Sequence, residues 1–82
     1  MQTKEQVLAL IRDALVEMFE LDPARVTPEA RLYDDLEIDS IDAVDLLDRV
    51  KRLTGRKISA EDFRSVRTVE DLVETLHRIM SA

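Results

Sequence analysis

The sequence predicts an all-α protein, a four-helix bundle with three longer helices and one short third helix. Three observations carry this. Apolar residues recur at helical spacing through most of the chain. Strand-like alternation is absent, and with one glycine and two prolines in 82 residues there is little to break helices. Finally, cap-forming residues stand at the expected helix starts.

Taken in order, Thr3-x-x-Gln6 reads as a capping box opening the first helix. Val7, Leu8, Ile11, Ala14, Leu15, Met18 and Phe19 give that helix a broad apolar face. Its end is expected at Asp22-Pro23, because the residue before proline disfavours helical backbone. Residues 22–39 form a long connection, in which Thr27-Pro28-Glu29 is expected to start one short helical turn. Leu32 and Leu36 are expected to tuck this segment against the bundle. Connections this long within a compact domain are uncommon and often functional.

The second long helix is expected from Ser40 to Thr54, with Gly55 as its left-handed stop. Ile41, Val44, Leu47 and Val50 are expected to face the core. That leaves Asp42, Asp45 and Asp48 on the water side as an acidic stripe continuing from Asp39. Ser59-Ala60-Glu61-Asp62 caps a short third helix carrying Phe63 and Val66. Thr68-Val69-Glu70-Asp71 caps the last, with Val69, Leu72, Val73, Leu76, Ile79 and Met80 inward.

Length and composition narrow the function. Residues 1–82 read as a single domain, and a chain this small buries only about 60–65% of its unfolded surface. It contains no cysteine, so neither a disulfide nor a thiolate metal site is available, and its one histidine excludes the usual zinc ligand sets. The longest apolar run, Val7 to Ile11, is too short for a membrane span or a signal-peptide core. A cytoplasmic protein, monomeric, is expected. The net charge of −6 is uneven: residues 1–48 carry −9, residues 49–67 carry +5 and residues 68–82 carry −2. The acidic part suits basic partner surfaces. The basic segment has one aromatic, Phe63, in an acidic protein, which argues against nucleic acid.

The run from Asp34 to Leu47 isolates Ser40 as a lone hydroxyl where loop becomes helix. As a plain residue it reads as a helix N-cap. Asp39 can take that duty instead, accepting from the backbone N–H of Ile41 or Asp42, which leaves the hydroxyl free. A hydrolase would need a base, and the only histidine, His77, lies in the last helix. A calcium loop beginning at Asp35 would need glycine at position 40 and glutamate at 46, where Ser40 and Leu46 stand. No resident metal is expected.

Asp39-Ser40-Ile41-Asp42, preceded by Asp34-Asp35-Leu36 and followed by Val44-Asp45-Leu46, resembles the attachment site of acyl carrier proteins, and the resemblance extends to Thr68-Val69-Glu70-Asp71-Leu72. It implies the same helical fold and a carrier with no catalytic activity of its own. Ser40 would hold 4′-phosphopantetheine, donated by coenzyme A through a phosphopantetheinyl transferase. The arm's thiol would carry acyl intermediates as thioesters in fatty-acid or polyketide/polyene synthesis. Asp39 occupies the position that helps the transferase engage metal. Asp39, Asp42, Asp45 and Asp48 would be read by basic patches on an acyl synthetase, a ketosynthase and similar enzymes. The positive end of a helix favours an attached phosphodiester, whereas the crowded Asp35, Glu37, Asp39 and Asp42 oppose it, so the transferase must supply magnesium and basic groups. The acyl chain is expected in the seam lined by Val44, Leu47, Ile58, Phe63 and Val66, residues that singly also read as core. Phe63 adds bulk there and points to a short or flat acyl group.

Three features depart from the family pattern. Glu37 stands where glycine is common and is expected to hold the loop in ordinary backbone. Arg49, Lys51 and Arg52 occupy the often acidic end of the second helix. Phe63 replaces smaller residues. The stretches Ala30 to Leu36, Thr54 to Lys57 and Val66 to Val69 are similar to specialised carriers of polyene type. The alternative is a carrier-like helical interaction module without an arm, acting only through its acidic face.

Overall fold

The computed structural model describes residues 3–81. Four helices occur in the order α1 (Lys4–Phe19), α2 (Ser40–Thr54), α3 (Ala60–Arg64) and α4 (Val69–Ser81). The expected three-long, one-short arrangement is the observed one. Helix α1 packs on both α4 and α2, and one continuous core links Val7, Ile11 and Leu15 to Leu46, Val50, Leu72 and Leu76. No polar or charged residue is buried among the described residues, so apolar burial carries the fold.

Local chemistry sets the helix ends. At α1, the Thr3 hydroxyl accepts the Gln6 N–H at 3.2 Å while Gln6 Oε1 accepts the Thr3 N–H at 2.9 Å. The helix stops at Phe19, earlier than expected, because Glu20 turns left-handed with φ 52°. Asp22 is thereby released to cap a 3₁₀ turn at Pro23–Arg25, its carboxylate accepting the Ala24 N–H at 2.9 Å. The short helical turn therefore lies at 23–25 and not at 27–29. Residues 27–30 make a β-turn closed by Ala30 N–H on the Thr27 carbonyl at 3.1 Å.

Helix α2 begins and ends where expected. Gly55, at φ 73°, donates its N–H to Lys51 at 2.8 Å and ends the helix in a conformation that side-chain-bearing residues disfavour. Ser59 caps α3 through the Asp62 N–H at 3.0 Å.

The long connection does more than span a gap. Leu32, Leu36 and Ile38 are buried and anchor it to the core. Arg31 and Thr68 form an isolated antiparallel bridge, with Leu32 N–H on the Arg67 carbonyl at 3.0 Å. The carbonyls of Ala30 and Pro28 accept the Val69 and Glu70 N–H groups, both at 2.9 Å, and the Thr68 hydroxyl accepts Asp71 N–H at 3.2 Å. Three donors that α4 cannot satisfy internally thus find partners. Two of those partners come from loop backbone about 40 residues upstream, a pairing no local pattern announces.

One face assignment is overturned. Ile41 and Val44 are 72% and 66% exposed, and the core face of α2 is Ala43, Leu46 and Val50, with Leu47 half-buried at its edge. Both sets have helical spacing. At 100° per residue, however, Asp48 and Lys51 fall inside the arc running from Ile41 through Val44 and Leu47 to Val50, so that stripe would have buried charges. The arc from Leu46 through Val50 to Ala43 contains no charge.

Candidate functional site at the start of α2

Two turns of backbone deliver the chain to Ser40. The N–H groups of Asp35 and Leu36 both reach the Arg31 carbonyl, at 3.0 and 3.1 Å, closing a loose turn over residues 32–36. Glu37 then reverses the chain in the left-handed region at φ 55°, and Ile38 N–H reaches the Leu32 carbonyl at 2.9 Å. The expectation of ordinary backbone at Glu37 is therefore wrong. The family pattern itself held the signal: a position where glycine is common is one where positive φ is needed.

Asp39 caps α2. Its Oδ1 accepts the Asp42 N–H at 2.9 Å, and Asp42 Oδ2 accepts the Asp39 N–H at 3.4 Å. The cap duty is filled, so Ser40, first residue of the helix, is exposed, and its hydroxyl has no hydrogen-bond partner among the described residues. It projects at the positive end of a 15-residue helix, where an anionic substituent is favoured. His77 is half-buried in α4 and makes no hydrogen bond to Ser40. No group of three or more metal-ligating side chains is placed to hold an ion among the described residues. The geometry therefore presents a hydroxyl without activating it.

Along the exposed face of α2, Asp39, Asp45 and Asp48 are at the surface and Asp42 is half-buried. They are not equivalent. Asp39 and Asp42 hold each other in the cap, and Asp48 pairs with Arg52 at 3.2 Å, leaving Asp45 outside any ion pair among the described residues. Ile41 and Val44 stand between them. This exposed apolar pair on a charged face is the surface feature that sequence reasoning missed. At the seam between α2 and α3, Ile58, Phe63 and Val66 are buried and Leu47 is half-buried. Val44, expected with them, is exposed. Phe63, at 9% exposed, stands with the core and not in open space.

Comparison with known proteins agrees with this geometry. A family model described as the phosphopantetheine attachment site matches residues 9–76. Acyl carrier protein 2 of Ralstonia nicotianae is 48% identical over 80 residues, covering 98% of this chain and 99% of the relative. The meromycolate extension acyl carrier protein of Mycobacterium leprae is 34% identical over 77 residues, 94% of this chain and 67% of the relative. An acyl carrier protein of Rubrobacter xylanophilus is 34% identical over 71 residues, 87% and 88% of the two chains. The chain belongs to the phosphopantetheine-bearing acyl carrier protein family. It is a carrier without catalytic activity of its own, acting in fatty-acid or polyketide-type synthesis with a phosphopantetheinyl transferase and synthase enzymes as partners. This displaces the alternative of an armless interaction module. Among the described residues no helix is long and apolar enough to cross a membrane.

Proposed function

We propose that Ser40 is the residue that bears the 4′-phosphopantetheine arm. The observation that supports this is the division of labour at the start of α2, where Asp39 caps the helix and leaves the Ser40 hydroxyl exposed and unpartnered. The transferase must supply the base and magnesium that Ser40 lacks, and Asp39 is proposed to help engage that metal. Incubation of the apo protein with coenzyme A, magnesium and a broad-specificity transferase should add one phosphopantetheinyl unit by intact mass. Ser40→Ala should block the addition while leaving the helical circular dichroism and the unfolding midpoint unchanged. An unmodified parent protein, under conditions that modify a control carrier, would refute the assignment.

Partner enzymes, among them an acyl synthetase and a ketosynthase, are proposed to dock on the exposed face of α2. Asp39, Asp42, Asp45 and Asp48 steer approach, and Ile41 with Val44 supplies the apolar contact. Interfaces commonly combine an apolar centre with a polar rim. Residues 1–82 act as one carrier domain, monomeric and cytoplasmic. A short or flat acyl group shelters against Leu47, Ile58, Phe63 and Val66, since Phe63 fills space a long chain would need. Glu37, Phe63 and the basic end of α2 support a dedicated carrier of polyene or polyketide type over a general fatty-acid carrier.

A further inference from the structure

The basic residues between 49 and 67 do not act as one group. Arg49 and Arg52 are tied to Glu17 and Asp48, at 3.3 and 3.2 Å. Arg64 and Arg67 instead line, with Arg31, an open cleft of about 560 Å³ between the turn after Ala30 and the α3–α4 connection, with Tyr33 in its wall. Two carboxylates also line the cleft, Asp34 and Asp71. Asp34 pairs with Arg31 at 3.5 Å, while Asp71 accepts the backbone N–H groups of Arg67 and Thr68 at 3.1 and 3.2 Å. Neither Arg64 nor Arg67 has an ion-pair partner among the described residues. In a chain of net charge −6, three arginines against two carboxylates leave this cleft with a net charge of +1, carried by Arg64 and Arg67.

The backbone sets the cleft beside the start of α2. Ile38 N–H donates to the carbonyl of Leu32, the residue between Arg31 and Tyr33. From Ile38 to Ser40 the chain extends at most about 7 Å. A flexible arm on Ser40 therefore starts within reach of the cleft, and its free end can fold back into it.

We propose that this cleft is an oxyanion subsite for the cargo. It takes the carboxylate at the free end of a short dicarboxylic acyl group, with the guanidiniums of Arg64 and Arg67 donating to the carboxylate oxygens and Tyr33 beside them. The proposal rests on Ser40 bearing the arm. The arm's phosphodiester is the other oxyanion nearby, but it is bonded to Ser40 itself, whereas the thioester end is free to enter. A neutral acyl group of the same length finds no matching partner there.

The test loads the full chain with the arm, verified by intact mass, and compares three forms: the free-thiol form, the butyryl thioester and the succinyl thioester labelled with ¹³C at its terminal carboxyl. The guanidiniums of Arg64 and Arg67, opposed by the Asp71 carboxylate, should hold that carboxyl below its value in succinyl-pantetheine. The Nε–H signals of Arg64 and Arg67 should move in the succinyl form alone. In the Arg64→Gln/Arg67→Gln double variant, exposed positions whose loss leaves the core intact, the carboxyl should titrate as in succinyl-pantetheine. Titration at the unperturbed value in the parent chain would overturn the proposal. Arginine shifts already present in the free-thiol form would assign the cleft to the phosphodiester, and equal shifts in the butyryl form would make it indifferent to charge; either overturns the carboxylate reading. Absence of the arm by mass would refute the attachment reading, and the subsite with it.

Discussion

Glu37→Gly should stabilise this protein, and the expected gain can be worked from one dihedral angle. Glu37 sits at φ 55°, exposed, between the buried Leu36 and Ile38. An L-residue in the left-handed region costs roughly 1–2 kcal/mol relative to ordinary helical backbone. Glycine removes that cost but gains freedom in the unfolded chain, worth about 0.4–1 kcal/mol against it. The difference of the two ranges spans about 0–1.6 kcal/mol and centres on about 0.8 kcal/mol, equivalent at its centre to roughly 3–6 °C in Tm for a domain of this size. The substitution also removes a carboxylate flanked by Asp35 and Asp39, so Glu37→Gln serves as the control for charge alone. Urea unfolding followed by circular dichroism at fixed salt separates the two. Glycine should exceed glutamine by about 0.8 kcal/mol, and Glu37→Val should fall below both, because a β-branched side chain tolerates positive φ poorly. If the glycine and glutamine variants unfold at the same denaturant concentration, the strain argument is wrong and Glu37 costs nothing where it stands. Glu20, at φ 52° after α1, offers an independent repeat of the comparison far from the proposed attachment site.

Asp39→Asn should keep the cap and the fold but slow phosphopantetheine transfer, whereas Asp39→Ala should slow transfer and also lose about 1 kcal/mol of stability; equal unfolding midpoints for the two would contradict the cap assignment. Ile41→Ser and Val44→Ser should change stability by no more than about 0.5 kcal/mol while weakening binding to a partner synthase. Leu46→Ala, at the true core face, should cost about 2–5 kcal/mol. A stability loss at Ile41 comparable to that at Leu46 would restore the discarded face. Asp45→Lys should slow partner association at low salt, with the effect fading as ionic strength rises and the screening length falls to about 8 Å at physiological salt; stopped-flow rates that ignore both the substitution and the salt would reduce the acidic face to ordinary solvation.

The local elements and the candidate serine were legible in the amino-acid sequence because their determinants are local. A hydroxyl or carboxylate three residues from the N–H it accepts, as at Thr3, Asp39, Ser59 and Thr68, marks a helix start whatever surrounds it. Gly55 marks a stop for the same reason. The core stripe of α2 was also written in the sequence, because only the arc through Leu46, Val50 and Ala43 is free of charge, and the fold exposes Ile41 and Val44. Tertiary structure alone decided that Glu20 takes left-handed backbone, whereas at Glu37 the family's usual glycine had marked the need, and the pull of the buried Leu32, Leu36 and Ile38 outweighs local preference there. The fixing of the long connection by the carbonyls of Pro28 and Ala30 against α4 joins residues about 40 positions apart. The convergence of Arg31 with Arg64 and Arg67 has the same origin, since the bridge between Arg31 and Thr68 brings together charges that the sequence lists in separate segments. Short-range hydrogen bonding is written along the chain, while long-range packing is settled only when the chain has folded on itself.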